Sequence, residues 1–117
     1  MTCIFCEIVA GRAPAEYVGT NEDCIAIIPL NPVTPGHAIV LPKIHVTDFA
    51  DEPVITGKVF EFASYLADTP ANLITSAGEV ATQSVFHLHV HIVPRHFNDK
   101  LALPWHSGKH GKNGTDR

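Results

Sequence analysis

Phe86-His87-Leu88-His89-Val90-His91-Ile92-Val93 sets three histidines at spacing two, with apolar residues between them. On a β-strand, successive side chains point to opposite faces. His87, His89 and His91 then share one face, and Phe86, Leu88, Val90 and Ile92 share the other. The imidazoles are spaced by roughly 6.5–7 Å per two residues. A solvated loop has no reason to alternate so strictly, and a strand buried on both faces is apolar throughout. The pattern predicts a strand from Ser84 to Val93, stopped by Pro94, with one face in the core and one committed to imidazole chemistry.

Working outward, Cys24 to Ile28 and His37 to Leu41 are apolar runs ended by prolines and predict strands. Between them, Pro29 to Gly36 holds three prolines and a glycine and reads as a structured loop. Pro14 to Val18 and Ala71 to Thr75 read as extended, and residues 4–10 as a short helical turn closed by Gly11. Asp51-Glu52-Pro53 looks like an acidic helix start with an early proline. Ile55, Val59, Phe62, Ala63 and Leu66 keep helical spacing to about Ala67, and Thr69-Pro70 ends the element. Ser76 to Thr82 is a loop. The order of elements predicts an α+β domain, an antiparallel sheet with one main helix on one face and the histidines on the other.

The length of 117 residues fits one domain, expected over 1–106, with a small, polar, disordered tail over 107–117. A domain this small gains from a metal or a partner subunit. The net charge of -4 argues against binding a nucleic-acid polymer, which calls for a basic patch. Residues 1–94 carry three Lys/Arg against ten Asp/Glu, so the expected domain is itself acidic. No apolar run is long enough to cross a membrane. The N-terminus lacks the basic start and apolar stretch of a signal peptide, and the cysteines fit a reducing compartment. The expected location is the cytoplasm.

Two chemistries suit the histidine stretch. Neutral imidazoles can chelate a metal, or one can act as a nucleophile that its neighbours orient. Phosphorus suits the second, because the phospho-imidazole formed is easily hydrolysed. Gln83-Ser84 offers amide, hydroxyl and backbone N–H groups for phosphate oxygens, or equally a turn that bonds to itself. Cys3-x-x-Cys6 is half of a zinc site, with His45 and His87 able to complete it, or else two small apolar thiols. Cys24 reads as core. His37 reads more readily as structural, His96, His106 and His110 as solvent-facing, and Trp105 is undecided.

Three motifs in one order resemble the histidine-triad (HIT) superfamily. Residues 83–95 are similar to its His-φ-His-φ-His-φ-φ signature, with φ apolar. Pro35-Gly36-His37 through His45 resembles its Pro-Gly-His strand, and Cys3 to Gly11 resembles the start of its zinc-containing bacterial-type members. The resemblance spans about residues 3–106. It implies a five-stranded antiparallel sheet with helices, and often a homodimer with one ten-stranded sheet. It implies that His89 attacks the α-phosphorus of a nucleoside mono- or polyphosphate and becomes nucleotidylated. His91 would bond a phosphate oxygen or the leaving atom, and His37 would support the site. Gln83 and Ser84 would contact phosphate, and a structural Zn2+ would sit on Cys3, Cys6, His45 and His87.

Two positions depart from the pattern. Many members have Asp or Asn eight residues before the Pro-Gly-His histidine, to bind the ribose; here it is Pro29, with Asn31 the nearby substitute. Many have Asn eleven residues before the first triad histidine, in the phosphate loop; here it is Ser76. The expected function is a nucleotide hydrolase or nucleotidyl transferase, acting on a nucleoside phosphate or phosphoramidate-type substrate. The rivals are a metallohydrolase with catalytic zinc on His87, His89 and His91, and a non-enzymatic nucleotide-binding protein on the same fold.

Overall fold

The computed structural model describes residues 3–105 and Gly108. The order is α1 (Ile4–Val9), β1 (Glu16–Thr20), β2 (Cys24–Ile28), β3 (Ala38–Pro42), α2 (Pro53–Leu66), β4 (Ala71–Ile74) and β5 (Val90–Pro94), with a 3-10 turn at Glu79–Ala81 before β5. The strands form one five-stranded sheet in the order β1-β2-β3-β5-β4. All four pairings are antiparallel. The expected α+β sheet with one main helix is what the chain forms.

Each face of the sheet has its own core. Cys24, Ala26, Val40, Val90 and Ile92 pack with Val59, Phe62 and Ala63 of α2. On the other face, Ile25, Ile27, Ile39 and Leu41 pack with Phe5 and Ile8 of α1. β2 and β3 are therefore apolar at every position rather than alternating, as burial on two faces requires. Cys24 is fully buried core, as its surroundings in the sequence predict.

The histidine strand is shorter than its alternation predicts. It begins at Val90, and residues 84–89 approach it as bends and coil. The cause lies in its neighbours. Pro42, at the end of β3, has no N–H to extend the ladder, and its carbonyl accepts from His87 Nε2 at 2.9 Å. The Leu88 N–H donates instead to Val46 O at 2.8 Å. The His89 carbonyl accepts from the Thr75 hydroxyl at 2.7 Å, one residue past β4. Leu88, Val90 and Ile92 enter the core as expected, but Phe86 lies on that bent approach and is 47% exposed.

His91 pairs with Ile39 and Ile74 across the sheet, which puts it on the α1 face, away from α2. The α2 start also differs in detail. Glu52 is the N-cap but makes no side-chain cap bond. The Asp51 carboxylate accepts from Thr47 N–H at 2.9 Å, tying down the preceding loop. The turn into β3 needs Gly36, whose φ is +87°, a region that side chains with a Cβ rarely enter. A Cβ there would also meet Pro94 Cγ at 3.1 Å. The expected tail at 107–117 lies, Gly108 apart, outside the described residues, as do His106 and His110.

Candidate metal centre and histidine cleft

Four donors meet beside α1. Cys6 Sγ lies 3.2 Å from His45 Nδ1 and 3.5 Å from His87 Nδ1. Cys3 Sγ lies 3.5 Å from His87 Nδ1, and the two imidazole Nδ1 atoms are 3.2 Å apart. All four ligand atoms lie within 4.8 Å of one another. Zinc bonds of about 2.3 Å to sulfur and about 2.0–2.1 Å to nitrogen would put tetrahedral donors about 3.3–3.8 Å apart. The four separations given are close to those dimensions, and the chemistry fits, because two thiolates and two neutral imidazoles balance a dication. His87 supplies a second argument. Its Nε2–H donates to the Pro42 carbonyl, which leaves Nδ1 as a lone pair aimed at the cluster. Burial, then the adjacent Cys3 and the Glu7 charge, hold the Cys6 thiol pKa up. A cation between the thiols would reverse that.

α1 positions the cysteine pair. Cys3 is its N-cap, and its sulfur accepts from Cys6 N–H at 3.3 Å. Phe5 and Ile8 bury the inward face of the helix. The Tyr17 hydroxyl of β1 donates to Ile8 O at 2.8 Å, tying the helix to the sheet.

A cleft of about 330 Å³ opens on the same side of the sheet. His37, His89 and His91 line it, with Ser76, Gln83 and Arg95 among the polar neighbours and Val33, Ile74, Val93 and Leu103 among the apolar ones. His89 Nδ1–H donates to its own chain at His87 O, 2.8 Å away, so Nε2 carries the free lone pair. A hydrogen-bond chain fixes the other two rings. Val33 N–H donates to His37 Nδ1 at 3.1 Å. The proton of neutral His37 is then on Nε2, which donates to His91 Nδ1 at 2.9 Å. His91 is left with an Nε2–H donor. One imidazole thus offers a lone pair and its neighbour a proton, with ring centroids 5.2 Å apart.

Burial pushes the His37, His87 and His89 pKa values down. It pushes His91 down to about 4, helped by His89 and His37 beside it. His91 is therefore neutral when folded between pH 4 and its unfolded value of about 6.5, where the unfolded chain takes up a proton. Its contribution to stability is complete above about pH 6.5 and is lost as pH falls through 4. The melting temperature is expected to fall over that window, and less steeply in His91→Gln than in the parent chain. Equal slopes would contradict this reading of His91.

The remaining sequence candidates lie as follows. Gln83 lines the cleft and is only 4% exposed. Its amide is already used within the protein, donating to Thr47 O at 2.8 Å and Val85 O at 3.1 Å and accepting from Gly78 N–H at 2.8 Å. It holds the loop's shape. Ser76 lines the cleft, whereas Asn31 and Ser84 are exposed and are not part of its lining. His96 is exposed.

Sequence reasoning missed Arg95, Thr82 and Val33. Arg95 lines the cleft and is held by Asp99 at 2.7 Å and Asn72 Oδ1 at 2.7 Å. The only signal for it was a cation directly after the strand-ending proline. Thr82 lines the cleft with φ +76°, uncommon for a β-branched residue. Val33 acts through its backbone N–H, for which side-chain chemistry gives no signal.

The model of the HIT domain matches residues 10–98. The chain belongs to the HIT family. Within this family it is similar to an uncharacterized HIT-like protein, Rv1262c of Mycobacterium tuberculosis, with 37% identity covering 88% of this chain and 78% of that one. The crystal structure of a Zn-bound histidine triad family protein from Mycobacterium smegmatis superposes with a TM-score of 0.80 at 31% identity, covering 99% of this chain and 86% of that one. An adenylylsulfatase, HINT3 of Arabidopsis thaliana, is 30% identical over 85% of this HIT chain and 55% of its own length. The Cys3, Cys6, His45 and His87 cluster is compatible with zinc in this HIT protein too.

Proposed function

We propose that this HIT protein is a nucleoside-phosphate hydrolase or nucleotidyl transferase working through a covalent nucleotidyl-histidine on His89. The observation that carries the reading is the complementary pair in the cleft: a free Nε2 lone pair on His89 beside an Nε2–H on His91. His89 Nε2 attacks the α-phosphorus, and the bond to the leaving group breaks. His91 Nε2–H donates a hydrogen bond to a phosphate oxygen or to the departing atom, which leaves as an anion or takes its proton from solvent. His37 resupplies the hydrogen bond that keeps His91 in that tautomer. Water or another acceptor then attacks the phosphorus, loses its proton to solvent and breaks the P–N bond, which frees the nucleotide and returns the Nε2 lone pair of His89. The depressed pKa values favour neutral rings at pH 7, the state a nucleophile needs.

A structural Zn2+ on Cys3, Cys6, His45 and His87 completes the picture. When bound, it would cross-link α1 to the loop before β5. Four protein donors leave no open position for a substrate, which weighs against a catalytic metal on the three histidines. The leaving group is proposed to be an acidic or amine group joined to the α-phosphate, as in phosphosulfate or phosphoramidate substrates; the adenylylsulfatase relative supports the first. Ser76 and Ser84 remain the proposed phosphate contacts, with Gln83 shaping their loop, and Asn31 the proposed ribose contact. A homodimer with a continuous sheet and a cytoplasmic location complete the proposal. Among the described residues, no helix is long and apolar enough to cross a membrane.

The test uses nucleoside phosphoramidate, phosphosulfate and a chiral α-phosphorothioate. Release of nucleoside monophosphate with retention at phosphorus is expected, because two in-line displacements each invert. Inversion would point instead to direct attack by water, the metallohydrolase outcome. Binding of nucleoside monophosphate with no turnover across the panel would favour the non-enzymatic protein.

A further inference from the structure

His89 is held by one hydrogen bond at one edge of its ring, Nδ1–H to His87 O. A single bond leaves the ring free to rock about it, and rocking would swing Nε2 away from its line of attack. Two rings limit that motion. His91 is one, its centroid 5.2 Å away, and is itself fixed by His37. Phe5 is the other, 5.0 Å away and nearly perpendicular, with 81° between the planes. The same phenyl ring meets His87 at 5.9 Å and 83°. Edge-to-face contacts of this kind favour a defined tilt.

Phe5 is 8% exposed and sits between Cys3 and Cys6 in the six-residue α1. A helix this short is marginal by itself and takes its order from what anchors it. Its anchors are the buried faces of Phe5 and Ile8, the Tyr17 bond and the two cysteine ligands. The metal cluster and the reactive imidazole are therefore joined by one side chain.

We propose that Phe5 is a positioning residue that couples the Cys/His cluster to the orientation of His89. Ligation of Cys3 and Cys6 fixes α1, α1 fixes the phenyl ring, and the ring holds the His89 imidazole with Nε2 facing the cleft. The inference rests on His89 being the nucleophile, and it gives the cluster a part in turnover besides stability.

Long-range 1H–15N spectra of the imidazoles test it without substrate, with His89 assigned by the signal missing from His89→Gln. Adding zinc to the metal-free parent chain is expected to sharpen His89 into the Nδ1–H tautomer. In Phe5→Leu with one equivalent of zinc bound, the signal is expected to stay averaged. Its kcat is expected to fall about 10-fold with KM within about 2-fold, since a small misplacement of reacting groups costs at least that much. Phe5→Tyr, which keeps the ring, is expected to restore the sharp signal. A zinc-loaded Phe5→Leu with the parent's His89 spectrum and kcat would overturn the inference, as would a rise in KM alone. If Phe5→Leu takes up no zinc, the parent chain decides: a His89 spectrum indifferent to zinc overturns the coupling. A ring ordered without Phe5 leaves the nucleophile assignment standing, whereas a missing covalent adduct removes that assignment and leaves the spectra interpretable.

Discussion

His89→Ala is expected to lower turnover by about 10⁴-fold or more and to leave no covalent adduct, because losing a nucleophile removes the whole two-step route. The fold and the metal cluster are expected to survive. His89 supplies no donor to the cluster, and its backbone carbonyl bond to Thr75 does not depend on the imidazole. Metal content and melting temperature measured beside the rate separate loss of chemistry from loss of structure. His91→Ala is expected to cost less, since it leaves the attacking nitrogen in place and removes only the proton donor beside it. Turnover by His89→Ala within 10-fold of the parent chain would exclude the covalent route.

Removing the metal is the second large effect. In structural zinc sites of small domains, binding and folding free energies are coupled. Here the buried members of the two apolar cores include none of the four ligands, so partial destabilisation is expected instead of unfolding. The fully buried His87 Nδ1 would be left with only weak thiol donors at 3.5 Å in place of a cation. α1 would lose the restraint on both cysteines. A fall in melting temperature of about 10 °C or more follows, given about 4–8 °C per kcal/mol for a domain near this size. Differential scanning calorimetry with and without chelator measures it, and Cys6→Ser is expected to be insensitive to chelator. An unchanged melting temperature after loss of one equivalent of metal would show that the cluster is not structural.

Much of this was legible because it follows from local rules. Cys24–Ile28 is a strand bounded by a turn and a proline, and the chain forms it with those ends. The α2 helix follows its apolar spacing, and prolines stop β3 and β5 near the expected places. Cys3, Cys6, His45 and His87 were named as a ligand set from residue chemistry and family resemblance, and the fold brings them together.

What the sequence concealed was non-local. The alternation at 84–93 looks like one strand, yet the His87 imidazole takes the Pro42 carbonyl, Val46 O takes the Leu88 N–H and the Thr75 hydroxyl takes the His89 carbonyl. Gln83 looks like a free amide, but Thr47, Val85 and Gly78 occupy it. His37 looks structural in isolation; its meaning comes from His91, 54 residues away, and from a backbone N–H at Val33. Arg95 belongs to the cleft wall because β5 and the loop to Leu101 converge there, with Asp99 bonding to both His96 N–H and Leu101 N–H.

The proposed chemistry depends on His89 forming a bond to phosphorus. Acid- and base-quenched single turnovers with a nucleoside phosphoramidate, followed by peptide mapping under mildly alkaline conditions, address it directly. An acid-labile nucleotidyl group is expected on His89, formed and discharged at rates that match turnover and absent from His89→Ala. Turnover with no adduct on His89, or an adduct on another residue with the same kinetics, would contradict it.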